Sequence, residues 1–402
     1  MTATGAVNMT SRERFLTALR NGVPDRVPVA PDISNYIPVK RTGLPFWDVY
    51  FHGKVPIWRA YLDAADHFGM DAWLASTAPT PFVYANDPTE WRREHVYRAD
   101  MDAMIQDTVI QTPDGPLTQQ RICFRGDPPT TTQKPIQDLA RDFKKLRWLI
   151  PLPTGINQQA WDEMRDACHQ RGQAYGSRMA YPGFHLWHSY VQGGVEPLTY
   201  AEADTPELLE EWFEMDLVRG TREMKLLVKA RPDYILFGGS GTLTLSSPAL
   251  VRKYAIPSLK KWSAMAKAAG IPTMLHSCGK SRALVDLLCD ETDVGSINPL
   301  EIPPMGDVDL AEVKAARGRQ ISLMGNLHTT EVMLRGTPDL VRREAIRAIR
   351  AAGPGGGFIL STGDQCGRET PDENIFVLVE TAKEFGVYDR ATGALPKLPP
   401  QS

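Results

Sequence analysis

Residues 271–279 read IPTMLHSCG. An apolar run leads into His276, and side chains two apart on a strand point to the same face. The spacing predicts a buried strand over Pro272–His276 that delivers His276 and Cys278 together at its C-terminal end. Similar short apolar runs occur at Val27–Ala30, Ala72–Ala75, Ala174–Tyr181, Tyr234–Phe237, Gly295–Leu300, Ile321–Met324 and Phe358–Ser361. Most are separated by stretches with 3.6-residue periodicity, such as Leu208–Val228, Pro248–Ala269, Ala283–Glu291 and Leu340–Ala352. Strand alternating with helix is the pattern of a parallel sheet covered by helices. Eight such units predict an α/β fold, a closed (β/α)8 TIM barrel.

Three segments lie outside that alternation. Residues 10–20, TSRERFLTALR, predict an N-terminal helical extension capped by Thr10 or Ser11, with Phe15, Leu16 and Leu19 on one face. Residues 91–124 alternate loosely around Pro113-Asp114-Gly115, which predicts an inserted β-hairpin or small antiparallel sheet. The following stretch, 126–132, reads as a loop. Residues 1–9 and 395–402 read as flexible tails, and the whole of 1–402 reads as a single barrel domain. The Gly353–Gly357 run precedes a strand and lacks a following Lys-Ser/Thr helix, so it reads as a turn and not as a phosphate loop.

The chain has 402 residues, with 45 Lys+Arg against 48 Asp+Glu and a formal net charge of −3. That balance excludes a general electrostatic case for nucleic acid or an anionic membrane. No apolar run approaches the roughly 18 residues of a membrane span. Met1–Ser11 has no basic segment leading into an apolar core, so a cytoplasmic, reducing location is expected. The five cysteines are too few and odd in number for a disulfide framework. They are then core filler, nucleophiles or metal ligands.

The end of a barrel strand is where active sites are built. His276 and Cys278 supply the nitrogen and sulfur donors that zinc prefers. Glu301 closes the next apolar run, and Cys366 follows the last one. His276, Cys278, Glu301 and Cys366 are therefore the expected metal set, with Asp364 as an alternative oxygen ligand or a partner that orients the others. Their wide spacing suits a catalytic ion in a large fold and not a zinc finger. A lone His-x-Cys is also compatible with ordinary core packing, since buried cysteine acts as a small hydrophobe. Cys289 lies on the apolar side of a helix, Cys123 and Cys168 have no obvious metal partner in the local sequence, and all three are assigned to packing.

Several stretches carry a family resemblance: SSPALVRKYAIPSLKKW at 246–262, HSCG at 276–279, INPLE at 297–301, MGNLHTTEVMLRGTPDLVRREAIRAI at 324–349 and GPGGGFILSTGDQCGRETPDEN at 353–374. The chain resembles the uroporphyrinogen decarboxylase superfamily, and within it the zinc- and cobalamin-dependent methyltransferases. The resemblance runs from TSRERFLTALRNGVPDRVPV to ETAKEFG and implies the same barrel. The decarboxylases carry an Arg-rich segment near the N-terminus, whereas this chain reads PDISNYIPVKRTGLPFW at 31–47. The methyltransferases bind zinc through His-x-Cys and a later Cys, matching His276, Cys278 and Cys366. Cobalamin-independent methionine synthase uses a similar His-x-Cys, Glu, Cys set, which implies Glu301 as the fourth ligand. One departure stands out. In many relatives the last Cys directly follows the Gly of a Ser-Ser-Gly turn; here that position is Asp364, and Cys366 comes two residues later. Cys366 is favoured because a thiolate is the softer donor, with Asp364 kept as the alternative.

The resemblance implies Zn2+ and a corrinoid (cobalamin) as cofactors. Zinc would activate a thiol acceptor toward methylcobalamin, with Glu301 yielding its place, or polarise a methyl ether whose methyl passes to cobalt. No Asp-x-His-x-x-Gly corrinoid loop is seen, so the corrinoid is expected on a partner protein or free in solution. The small-molecule methyl donor or acceptor is expected to meet catalytic residues Glu301, Asp364 and His328. Asp32, Tyr36, Phe184, His185 and Trp187, on aromatic-rich loops, are the expected substrate-binding residues. The same aromatics would equally serve to pack the N-terminal segment onto the barrel, and His328 is as compatible with a structural role. The runner-up functions are a metal-free decarboxylase using Asp32 or Asp364, and a zinc-stabilised binding protein without turnover.

Overall fold

The computed structural model describes residues 8–400. Two larger sheets organise it, beside a short antiparallel pair of Phe82–Val83 with Gly155–Ile156. A four-stranded antiparallel sheet runs in the order β1 (Glu90–Arg98), β2 (Ala103–Gln111), β3 (Leu117–Phe124) and β4 (Thr130–Gln133). A six-stranded parallel sheet follows in sequence order: β5 (Gly176–Ala180), β6 (Tyr234–Gly238), β7 (Thr273–His276), β8 (Ser296–Asn298), β9 (Ser322–Leu327) and β10 (Phe358–Thr362). In its register His276 lies between Gly238 and Asn298.

Six of the eight expected strands are therefore regular strands. The first two runs are represented by single parallel bridges, Val29 to Leu360 and Trp73 to Ala174, one at each end of the sheet. Around the first, the Ala30 N–H donates to the Leu360 carbonyl and the Leu360 N–H to the Pro28 carbonyl, each at 2.8 Å. The Asp71 N–H donates to the Val29 carbonyl at 2.8 Å, which links the two short segments. Their brevity has local causes. Pro28 and Pro31 flank the first run and cannot donate to a ladder. The second run turns at once into a 3-10 helix over Leu74–Ser76.

Below this sheet the N-terminal helix Ser11–Leu19 is tied in by charge. Thr10 caps it in a reciprocal arrangement with Glu13. Arg14 donates to the Asp71 carboxylate at 2.8 Å and to Asp25, while Arg26 Nη1 reaches Asp71 at 3.0 Å. Asp71 is fully buried and also accepts from the Val29 N–H at 2.9 Å. A buried carboxylate with this many donors is satisfied, and removing either side would leave an unpaired charge.

The helices follow the sequence closely. Pro206–Ala230 begins with proline in its first turn, where no N–H partner is needed. The expected helix over Pro248–Ala269 is interrupted by a π turn at Val251–Ala255, just before Pro257 withdraws its N–H from the ladder. The Gly353–Gly357 run is a turn, as read. Gly357 has φ +60°, and a Cβ there would lie 1.7 Å from Asn21 Oδ1.

The insertion differs from its reading in one element. The Thr130–Gln133 stretch, expected as loop, pairs with β3 as a fourth strand, because the turn around Gly126-Asp127-Pro128 folds it back. Of the expected tails, 1–7 and 401–402 lie outside the described residues. Leu395 packs into the main core, and the Pro399 carbonyl accepts from Arg350. No helix among the described residues is long and apolar enough to cross a membrane.

Candidate metal and substrate site

The C-terminal ends of β7, β8 and β10 lead to three side chains that meet. A Cys278 sulfur, a Glu301 oxygen and an Asp364 oxygen all lie within 4.8 Å of one another. Cys278 stands two residues past β7, Glu301 three past β8 and Asp364 two past β10. The approach depends on Gly279, whose φ is +79° and whose N–H donates to Glu301. A Cβ at 279 would lie 2.0 Å from the Thr244 hydroxyl. That hydroxyl in turn accepts from the Lys280 N–H at 3.0 Å.

The electrostatics of the trio are those of crowded acids. Burial pushes the Cys278 thiol up to about 11; the charges of Asp364 and Glu301 push the same way, against hydrogen bonds to Ser240 and Gly241. Glu301 is also raised, first by burial and then by Asp364, while the Gly279 N–H opposes. Three acids held this close repel one another unless a cation lies between them. One sulfur and two carboxylate oxygens form a donor set that zinc accepts, with bonds of about 2.0–2.3 Å.

His276 stands beside the trio but outside its 4.8 Å limit. Its Nδ1 is buried without a hydrogen-bond partner among the described residues. Burial holds the imidazole toward its neutral form, Asp364 pulls the other way, and Arg178 adds to the lowering. A neutral imidazole with an orphaned nitrogen is the state in which histidine ligates a metal.

Cys366 is not part of the group. It is fully buried, and its N–H donates to the Asp32 carbonyl at 2.7 Å. Burial and the neighbouring Asp32 push its thiol far up, against a hydrogen bond to Thr362. The structure thus brings Asp364, and not Cys366, to Cys278 and Glu301. Cys123 and Cys168 are buried in apolar clusters and Cys289 packs against one.

A cavity of about 260 Å³ opens beside the trio. Asp32, Arg178, Ser240, His276 and Asp364 line it. Burial raises Asp32 to about 6, opposed by hydrogen bonding to Ser34. A larger cavity of about 780 Å³ lies against helix Pro206–Ala230 and the 147–154 loop and touches none of these residues. The chemistry, not the volume, identifies the site.

The other expected residues fall in different places. His328 caps the turn after β9, its Nδ1 accepting from the Thr330 and Glu331 N–H groups at 3.1 Å each. It also lines a small recess with Glu301 and Asn326. His185 is buried against Tyr181, ring centroids 4.1 Å apart, and burial depresses it to about 3. Phe184 and Trp187 belong to a second apolar cluster with Trp212 and Tyr254. The Trp187 indole donates to Asp216 at 2.8 Å. Tyr36 packs near Phe46, with centroids 6.1 Å apart. These three aromatics pack the fold and do not line the cavity. Arg178 and Ser240 were missed by sequence reasoning. The signal for Arg178 was a lone charge inside an apolar strand run.

Residues 222–385 match the family model for uroporphyrinogen decarboxylase (URO-D). A methylcobamide:CoM methyltransferase, MtaA, of Methanosarcina barkeri is 29% identical over 180 residues, 44% of this chain and 50% of that protein. A uroporphyrinogen decarboxylase of Nostoc punctiforme is 38% identical over 78 residues, 19% of this chain and 21% of its own length. The chain thus spans half of the first relative and about a fifth of the second. A solved methyltransferase from Methanosarcina mazei superposes with a TM-score of 0.64 at 18% identity, covering 94% of this chain and 99% of that one. That likeness shows a shared fold.

Proposed function

Taking as premise that the chain belongs to the uroporphyrinogen decarboxylase superfamily, a relationship carried by residues 222–385, we propose that it is a zinc-dependent methyltransferase. It moves a methyl group between a corrinoid and a small thiol or methoxylated substrate. The observation that carries this is the meeting of Cys278, Glu301 and Asp364 beside a cavity, with His276 next to them. The whole chain is read as one barrel domain. The six-stranded sheet and the bridges that extend it at both ends support that reading.

Cys278, Glu301 and Asp364 would hold the ion, with His276 as the nitrogen donor. Bound there, zinc supplies Lewis acidity that lowers the pKa of a thiol or polarises an ether oxygen. The chain's residues do the remaining work. The Gly279 N–H orients the Glu301 carboxylate. Ser240 holds a hydrogen bond to the Cys278 sulfur. Asp32, with a carboxyl raised to about 6, is placed on the cavity wall to hold or release a proton near neutral pH. His328 keeps its Nδ1 occupied by backbone donors, so only Nε2 is left for a substrate.

A cavity of about 260 Å³ lies just below the range of about 300–1,000 Å³ that drug-sized ligands fill. It takes a small substrate, and a corrin ring would have to approach from outside its mouth. The relative named a methylcobamide methyltransferase supports the corrinoid, carried by a partner protein or free. The test is methyl transfer followed in the corrin spectrum. With methylcobalamin and a small thiol, demethylation should depend on added zinc and on Cys278. No spectral change with either thiols or methyl ethers would overturn the reading.

A decarboxylase on the same fold is the second reading, favoured by the short match to uroporphyrinogen decarboxylase. It predicts carbon dioxide release that survives Cys278→Ser.

A further inference from the structure

The cavity of about 780 Å³ lies away from the metal trio, between helix Pro206–Ala230 and the 147–154 segment. The helix gives it one stripe: Glu214, Leu217, Val218, Thr221, Arg222 and Lys225 recur at the three- and four-residue spacing of a single face. The stripe is graded. Its acid, Glu214, stands about 12 Å along the axis from Arg222 and about 16 Å from Lys225. Leu217 and Val218 form the middle. Leu152 on the facing segment is 52% exposed and Val218 is 55% exposed, although both line the cavity.

Three cations gather toward the other end. Lys261, on helix Ile256–Ala268, lines the same cavity as Arg222 and Lys225. Its place is built. The neighbouring Trp262 indole donates to the Thr221 hydroxyl at 3.1 Å, and a Cβ at Gly220 would lie 2.3 Å from the Trp262 ring. Glycine weakens a helix interior, and here it lets the two helices close until Lys261 stands beside the Thr221–Arg222 turn. Among the described residues none of the three cations has a carboxylate within 4.0 Å. The other charges on the wall are engaged elsewhere: Arg147 pairs with Asp114 at 2.6 Å, and Asp87 accepts from the Thr89 N–H at 2.9 Å. The facing wall is held as well. Arg222 Nε donates to the Pro153 carbonyl at 3.2 Å, and the Thr154 N–H to the Val83 carbonyl at 2.7 Å.

We propose that this cavity binds an amphipathic anion. Its apolar chain or ring lies along Leu152, Leu217 and Val218, and its carboxylate or phosphate head sits among Arg222, Lys225 and Lys261. Like charges brought together without an acid repel, and an anionic head relieves that repulsion. The apolar body takes exposed side chains out of water. The volume lies inside the range of about 300–1,000 Å³ that small-molecule sites occupy. The site is separate from the metal trio and does not rest on the methyltransferase reading.

The test compares probes on the full chain by calorimetry or ligand-observed NMR: octanoate, octyl phosphate, octan-1-ol, acetate and inorganic phosphate. Wild-type protein should bind the better octyl anion saturably, at least about tenfold more tightly than octan-1-ol. That anion should also bind at least about tenfold more tightly than its head group alone. The preferred anion identifies the head. Lys225→Gln combined with Lys261→Gln should bring the octyl anions and octan-1-ol to similar affinity. Val218→Asp should weaken all three octyl probes by about tenfold or more. Equal binding of anions and alcohol by wild-type protein would overturn the proposal. So would an anion preference that survives the double substitution, or the lack of saturable binding by either octyl anion. The wild-type comparison stands even if a variant fails to fold.

Discussion

Asp364 holds a carboxylate oxygen within 4.8 Å of the Cys278 sulfur, and a Glu301 oxygen lies inside the same limit of both. Three strand ends far apart in sequence are thereby brought to one point. Around that point the described acids outnumber the one cation on the cavity wall, Arg178, and that imbalance shapes the expectations below.

Gly279 is the hinge of the arrangement. Its positive φ and the 2.0 Å approach of a Cβ to Thr244 leave no room for a side chain. Gly279→Ala should destabilise the protein by about 1–3 kcal/mol, because strain at positive φ adds to the clash. It should also lower zinc affinity, since the Gly279 N–H holds Glu301. Urea unfolding and zinc titration check the two effects separately.

Asp71 anchors the opposite end. It is fully buried between Arg14 and Arg26. Asp71→Ala leaves Arg26 without a carboxylate and Arg14 with Asp25 alone, and should cost about 3–5 kcal/mol. The loss should appear in denaturant midpoints, and loss below about 1 kcal/mol would show that the ion pairs contribute little.

Asp32 gives a pH signature. Its folded pKa of about 6 lies above the ordinary 3.8, so the folded state takes up a proton that the unfolded state releases. The carboxyl therefore does no harm below about pH 4 and destabilises progressively as pH rises through 6. Asp32→Asn keeps an acceptor for the Ser34 N–H and removes the charge. The variant should gain up to about 3 kcal/mol over wild type above pH 7, with the gap closing toward pH 4. A gap that does not change with pH would assign Asp32 an ordinary carboxyl.

His328 separates capping from chemistry. Its Nδ1 accepts two backbone N–H groups at 3.1 Å. His328→Ala should lose about 1 kcal/mol of stability, and His328→Asn should restore most of it. If Asn also restores turnover, the histidine serves as a cap; if turnover stays low while stability returns, the ring itself meets the substrate.

Much of this was legible in the sequence because periodicity marks buried strands. The IPTMLHSCG stretch placed Cys278 at a strand end, and INPLE did the same for Glu301. What resisted was fine geometry. Softness favoured Cys366 as a donor, but the chain after β10 turns so that Asp364 reaches the mouth and Cys366 is sealed beside Asp32. Arg178 was hidden because one charge barely alters an apolar run, and only the missing Cβ of Gly238 on the next strand shows why it fits. Phe184 and Trp187 lie on a short helix after β5, yet that position alone does not tell a packing ring from a binding one. Trp212 on the long helix stacks on Trp187, and Tyr254 stacks on Phe184. Thr130–Gln133 escaped because Thr-Thr-Thr-Gln shows no apolar alternation, its pairing being decided by the strand beside it.

The central claim is that Cys278, Glu301 and Asp364 hold a zinc ion. Its most direct test is zinc stoichiometry by mass spectrometry of protein purified with zinc and freed of loose metal, measured on wild type, Cys278→Ser, Asp364→Ala and Cys366→Ser. About one equivalent is expected in wild type and in Cys366→Ser, and a fall well below half an equivalent in the other two. Less than about half an equivalent in wild type, or full retention by Cys278→Ser and Asp364→Ala, would contradict it.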